Sequence, residues 1–210
     1  MQYVLIHGLG QTSSSWDKTI SYMLKPFNVV CPSLSALLNG GEVTYASLYK
    51  AFDGFCNQSS EPLHLCGLSL GGVLALNYAI ENPAKVKSLV LIGAQYKMPG
   101  ALLKVQNIIF RILPKAVFKN MEFEKNDFIR LTKSMIDINF SDKIINISCP
   151  ALIMCGEKDS ANMAASKQLA AKIPGAELHI LDSAGHEANI NNPKLLAQKL
   201  ESFWMNHLDP

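Results

Sequence analysis

Residues 62–75 read P-L-H-L-C-G-L-S-L-G-G-V-L-A. A short apolar run ends in Gly67-Leu68-Ser69-Leu70-Gly71, and an apolar stretch of helical length follows at once. G-x-S-x-G set between a strand and a helix is the context in which the motif presents a nucleophilic serine on a tight turn. Gly67 and Gly71 leave room for a strained backbone at Ser69, and Gly72 lets the helix start approach the sheet. The hydroxyl then stands at a helix N-terminus, where the dipole and free N–H groups favour developing negative charge.

Working outward, short apolar runs alternate with helical patterns. Strands are predicted at Tyr3–Ile6, Asn28–Cys31, Leu63–Cys66, Ser88–Ile92, Ala151–Cys155 and Glu177–Leu181. Their Val, Ile and Leu content suits a parallel sheet covered on both faces. Helices are predicted at Ser14–Leu24, Thr44–Cys56, Leu70–Glu81, Met163–Ile173 and Pro193–His207. The alternation implies a doubly wound α/β domain. It breaks once, at residues 95–147, which are too many for a plain connection and carry their own helical periodicity. A second short helix in this insert is predicted over Asp127–Ile136.

Composition excludes several classes. Hydrophobic residues make up 49% of the 210 and charged residues 17%, a globular balance. The net charge of +2 gives no reason to expect nucleic acid. No run reaches membrane-spanning length, and the N-terminal M-Q-Y-V-L-I-H-G does not read as a signal peptide. The five cysteines are odd in number and form no C-x-x-C pair, which points to reduced thiols and a cytoplasmic protein. No His/Cys/Asp cluster has metal-ligand spacing, and no glycine loop matches a phosphate cradle.

A serine alcohol needs a base, and the base needs an orienting group. Asp159 falls in the loop just past the Ala151–Cys155 strand, and His186 falls in the loop past the last strand. Strand-to-helix loops of a parallel sheet open on one edge, so Ser69, Asp159 and His186 can meet there. Their chain order is the one expected for a serine on such an elbow. His7-Gly8-Leu9-Gly10 follows the first strand. Its glycines let the loop turn back, so the backbone amides of Leu9 and Leu70 form the expected oxyanion hole. Among competitors, Glu157 reads as a solvated loop residue and Asp182 as a turn or cap residue. His64 and His179 read as satisfied sheet residues, His207 as exposed, and His7 as shaping the oxyanion loop.

These pieces together resemble the α/β-hydrolase superfamily, in its serine esterase and lipase-like branch. The matching segments are H-G-L-G with Trp16 downstream, G-L-S-L-G-G, V-L-I-G-A, C-P-A-L-I-M-C-G-E-K-D and A-G-H-E-A-N, in order along nearly the whole chain. The resemblance implies an α/β-hydrolase fold with a mostly parallel six-stranded sheet, ordered second-first-third-fourth-fifth-sixth. It implies a core of residues 1–94 and 148–210, a helical cap at 95–147, a triad of Ser69, Asp159 and His186, and no cofactor. Gly8 and Leu68 are expected to border the substrate; Leu68 stands where the family often has His. The loop after the second strand, C-P-S-L-S-A-L, departs from the family's D-x-x-G-x-G-x-S.

The expected activity is hydrolysis of an ester, thioester or lactone bond in a small, mostly apolar substrate through an acyl-enzyme. C–C bond hydrolysis, acyl transfer and enol-lactone hydrolysis use the same machinery and stay open, as does a non-catalytic ligand receptor on the same fold. No nucleic-acid partner and no stable membrane insertion are expected. The basic residues recurring through the insert read as a solvated face or, less often, as a membrane-surface helix.

Overall fold

The computed structural model describes residues 1–207. The last residues of the expected core segment, 208–210, lie outside the described residues. The predicted apolar runs form β1 (Tyr3–Ile6), β2 (Val29–Val30), β3 (Leu63–Leu68), β4 (Val86–Ile92), β5 (Ala151–Gly156) and β6 (Glu177–Leu181). They build one sheet in the order β2-β1-β3-β4-β5-β6, with every neighbouring pair parallel. This is the order expected from the sequence.

Parallel neighbours need crossover connections, and helices supply them. In chain order they are α1 (Asp17–Ser21), α2 (Leu34–Leu37), α3 (Tyr45–Cys56), α4 (Leu70–Glu81), α5 (Gly100–Ile112), α6 (Lys125–Ser134), α7 (Ser160–Lys172), α8 (Ala188–Asn191) and α9 (Pro193–Asn206). Thr44 caps α3 by accepting from the Ser47 amide, and Asn192 caps α9 from the Leu195 amide, with Pro193 in the first turn.

Side chains alternate across each strand, so the sheet feeds two cores. Val4, Ile6, Leu65, Leu91 and Ile153 join a cluster closed by α3, α4 and α7. Tyr3, Leu5, Cys66, Val90 and Leu152 join a second, closed by Trp16 and α9. Helix α4 is buried from Leu70 through Ala79, which explains why its sequence is apolar on every side. The insert shares the first core. Phe118, Phe123, Phe128 and Leu131 belong to it, and the Phe110, Phe118 and Phe128 rings meet edge to face.

Several element bounds differ from expectation, and three departures fall on the first helix and the two edge strands. The first helix, expected over Ser14–Leu24, is a 3₁₀ turn at Ser13–Trp16 followed by α1, which ends at Ser21. The serine run bonds locally, Ser15 Oγ accepting from the Thr12 amide at 3.2 Å, and such bonds compete with helix. Leu24 is 89% exposed, so no packing rewards an extension. Strand β2 keeps only two of its four expected residues. Strand β6 is an edge strand, not one covered on both faces: Leu178, His179 and Ile180 are all partly solvent-facing. His179 Nε2 accordingly lies 3.6 Å from the exposed Glu177 carboxylate, on a partly solvent-facing strand.

Candidate active site

Ser69 sits between β3 and α4 with φ 54° and ψ −115°. A non-glycine residue there carries about 1–3 kcal/mol of strain. Two backbone bonds hold it: the Ser69 amide donates to the Ile92 carbonyl at 2.9 Å, and the Val73 amide donates to the Ser69 carbonyl at 3.0 Å. The glycines beside it are dictated by close approach. A Cβ on Gly67 would lie 2.3 Å from the Gly71 carbonyl, and one on Gly71 would lie 2.3 Å from the Ile6 carbonyl oxygen. Any side chain at either position would push α4 off β1 and β3.

Asp159 and His186 meet at the same edge. Asp159 stands at the N-cap position of α7, and His186 lies in the turn between β6 and α8. His186 Nδ1 lies 2.8 Å from Asp159 Oδ2. Asp159 is buried, while the imidazole is 41% exposed, so one partner is fixed and the other faces solvent. Asn162 Nδ2 donates to Asp159 Oδ1 at 2.9 Å and Oδ2 at 3.0 Å, and Gln95 Nε2 donates to Asn162 Oδ1 at 2.8 Å. Burial alone would raise the Asp159 carboxyl. The hydrogen bonds from His186 and Asn162 and the imidazole's charge outweigh it, and the group is held below the ordinary carboxylate range. Asp182 is exposed and its carbonyl serves the Asn192 side chain; Glu157 is exposed and accepts from the Ser183 amide. His186 pairs with Asp159 rather than with either of them.

Gly93 joins this pair to the serine. It follows Ile92, the residue that receives the Ser69 amide, and has φ +54°. A Cβ built on it would stand 3.0 Å from Asp159 Oδ2 and 3.1 Å from His186 Nδ1. The carboxylate and imidazole therefore lie directly over the end of β4, next to the elbow that ends β3.

The expected oxyanion loop lies beside the serine. A Cβ on Gly8 would sit 3.4 Å from Ser69 Cβ. Leu70 is buried and Leu9 half-buried against the first core. Leu68, expected to border the substrate, is 1% exposed and belongs to the second core, with its side chain beneath Gly8. Its side chain alternates to the opposite face from Ser69's neighbours, so it supports the loop by packing. His64 is a buried sheet residue as expected, with Nδ1 2.8 Å from Ser88 Oγ and its ring stacked on Tyr3. His207 is half-buried, its Nδ1 2.8 Å from the Phe203 carbonyl.

Several positioning residues carried little or no sequence signal. Gln11 Nε2 donates to Glu187 Oε1 at 3.1 Å and Asn189 Oδ1 at 3.0 Å, while Asn189 Nδ2 returns a bond to Gln11 Oε1 at 3.1 Å. This buried amide pair ties the loop after β1 to α8, directly past the loop that carries His186. Glu122, from the insert, accepts from the Ser13 amide at 3.2 Å and the Ser35 amide at 3.1 Å. His7 Nε2 lies 3.1 Å from Glu122 Oε2, within ion-pairing reach although not aligned as a hydrogen bond. Burial raises the Glu122 carboxyl, but His7 and the two amides more than offset this and hold it below the ordinary range. Asn162 could have been found three residues past Asp159, in the first turn of α7. Asn189 lies inside A-G-H-E-A-N. The partners that Gln11 and Glu122 meet in these contacts lie 87 to 178 residues away in sequence and leave no local trace.

Glu122 thus fastens the insert to the loops after β1 and β2. Glu122→Ala strands two half-buried amides and is expected to lower stability by about 1–2 kcal/mol, read by thermal unfolding. A shift no larger than that of an exposed-site substitution would mean that the three contacts do not hold the insert.

A cavity of about 610 Å³ opens in the insert, bordered by Phe118, Met121, Glu122 and Phe123. Met121 also lies beside Gly10, so the cavity backs on the loop after β1. It is not lined by Ser69, Asp159 or His186. The cysteines offer no rival nucleophile: all five are free, and burial pushes Cys31 up to about 12 and Cys149 up to about 11. Among the described residues no group of three His, Cys, Asp or Glu side chains could hold a metal ion.

A serine on a strand–helix elbow beside a paired aspartate and histidine, on a parallel sheet in this order, defines a class of α/β enzymes. The chain belongs to the alpha/beta hydrolase family, whose model matches residues 3–199. It is 21% identical to monoacylglycerol lipase abhd6-B of Xenopus laevis, over 95% of this chain and 74% of that one. It is 22% identical to carboxylesterase YbfK of Bacillus subtilis, over 95% and 79%. Among solved structures, the enol-lactonase from Burkholderia xenovorans superposes with TM-score 0.82 at 18% identity, covering 97% of this chain and 91% of that one. The protein is a hydrolase on the α/β fold.

Proposed function

We propose that the protein is a serine hydrolase that cleaves an ester, thioester or lactone bond of a small, mostly apolar substrate. Ser69 Oγ attacks the carbonyl carbon and gives its proton to His186 Nε2, the ring nitrogen turned away from Asp159. Asp159 holds the imidazole in the tautomer that leaves Nε2 free and stabilises the charged form. The amides of Leu9 and Leu70 receive the oxyanion. The tetrahedral adduct collapses, His186 protonates the leaving oxygen or sulfur, and an acyl-Ser69 ester remains. Water, deprotonated by His186, then releases the acid and restores the serine.

The observation that carries this reading is the strained Ser69 backbone, bonded to the residue before the glycine over which Asp159 and His186 pair at 2.8 Å. The apolar preference is supported by Phe128 and Met121, which stand beside Gly10 in the oxyanion loop. We read the insert at 95–147 as a cap on this site. Residues 1–94 and the chain from 148 onward form the core under it.

A fluorophosphonate tests the reading, because it phosphonylates only an activated serine. It is expected to label the wild-type chain at Ser69 and to leave Ser69→Ala unlabelled. A folded wild-type protein that takes no label would favour a ligand receptor. Turnover of p-nitrophenyl esters from acetyl to palmitoyl then reads the acyl length. A C–C cleavable diketone that outcompetes every ester would move the reading to the activity carried by the 2-hydroxy-6-oxononadienedioate/2-hydroxy-6-oxononatrienedioate hydrolase of Cupriavidus pinatubonensis, a 22% identical relative.

A further inference from the structure

Helix α5 turns an apolar side to solvent. Leu103 and Phe110 pack on the first core, and Asn107 is buried between them. The opposite side carries Leu102, Val105, Ile108, Ile109 and Ile112, which are 52%, 54%, 58%, 49% and 77% exposed. Steps of three, three, one and three residues keep all five on one stripe. Single exposed aliphatics need no explanation, but five contiguous ones mark a surface that meets something.

Charge says what. From Gly100 to Met121 the chain has four basic residues, Lys104, Arg111, Lys115 and Lys119, and no acidic one. All four are exposed. Among the described residues none of them is in an ion pair. Lys104 and Arg111 stand two turns apart on one edge of the stripe. The whole chain has a net charge of only +2, so this stretch is a local concentration of cations, Lys104 and Arg111 along the apolar strip and Lys115 and Lys119 past its end, where they border the cavity with Glu122 and Glu124.

We propose that α5 and the turn after it dock the protein on an anionic lipid surface, lying in its plane. The aliphatic stripe enters the acyl boundary and the cations meet the headgroups. The helix is about 20 Å long, at 1.5 Å per residue, and no described helix is long and apolar enough to cross a membrane. A second copy of this chain fits the face less well, because pairing the stripe with itself brings two sets of four cations together. The proposal is independent of the chemistry at Ser69, since its readout is partition rather than turnover.

The full chain is sedimented at low salt with vesicles of equimolar phosphatidylcholine and phosphatidylglycerol, and separately with pure phosphatidylcholine. Each engaged cation adds about fivefold in partition, so the anionic vesicles are expected to bind more than about tenfold better, and added salt to erase the difference. Ile108→Ser with Ile112→Ser is expected to lower binding by about tenfold or more at an unchanged melting temperature. Lys104→Gln with Lys115→Gln is expected to lower only the preference for anionic vesicles, and it carries the test should the serine pair fail to fold. Equal binding to both vesicle types, or serine-pair binding equal to wild type, would overturn the proposal. So would a wild-type dimer that the serine pair converts to monomer, which would assign the face to a second copy.

Discussion

Ser69→Ala is expected to give a folded protein whose ester turnover is lower by about a millionfold. On the proposed mechanism the loss is large because the alcohol is the attacking atom, and neither the Leu9 and Leu70 amides nor the His186–Asp159 pair can form the acyl intermediate without it. The fold is expected to survive because what holds position 69 is backbone. The amide bond to Ile92 and the carbonyl bond from Val73 need no hydroxyl, and alanine accepts the same φ of 54° at the same strain. Ser69→Gly separates strain from chemistry. Glycine occupies that region freely, so this variant is expected to be as inactive as the alanine one yet more stable by about 1 kcal/mol. Paired melting curves and p-nitrophenyl ester kinetics check both. Residual turnover near wild type in either variant would mean the wrong nucleophile. A glycine variant no more stable than wild type would mean that the elbow stores no strain.

How much of this was legible beforehand depends on sequence distance. The elbow is a local signal: glycines at 67 and 71 around Ser69, between an apolar run and a helical one, state their own geometry. Helix α4 accordingly lies at 70–81 as expected, and the strand order is the one that the family resemblance implies. The edge position of β6 was not legible, because L-H-I-L looks equally apolar whether one face or two are covered. Side-chain pairing across loops was illegible for a different reason. The Gln11–Asn189 exchange spans 178 positions, and the Glu122 contacts reach from the insert to the segments after β1 and after β2. A lone glutamine or glutamate carries no pattern that announces a partner so far away. Leu68 misleads in another way. It adjoins the nucleophile in sequence, but strand alternation sends its side chain to the opposite core.

Asp159→Asn tests the orienting group. An asparagine presents an amide donor or a neutral carbonyl to His186 Nδ1, so the ring can settle with its proton on Nε2, the nitrogen that must accept from Ser69. The expected loss is about ten-thousandfold in kcat, smaller than at Ser69 because the nucleophile and oxyanion donors remain. Asp182→Asn, on the exposed turn, is the control and is expected to leave turnover within about twofold, as for exposed substitutions generally; a crippled Asp182 variant with an active Asp159 one would exchange their roles. Stability gives a second, independent readout. The Asp159 carboxyl is held below its ordinary value by His186 and Asn162 against the opposing effect of burial. Its folded form therefore binds a proton more weakly than its unfolded form, which makes its contribution complete above about pH 4 and lost as the pH falls through the lower folded value. The asparagine variant has no such group, so its melting temperature is expected to fall less steeply between neutral and strongly acid pH than that of wild type. If the two curves run parallel, the Asp159 carboxylate is not the ionised, hydrogen-bonded partner that the 2.8 Å contact with His186 requires.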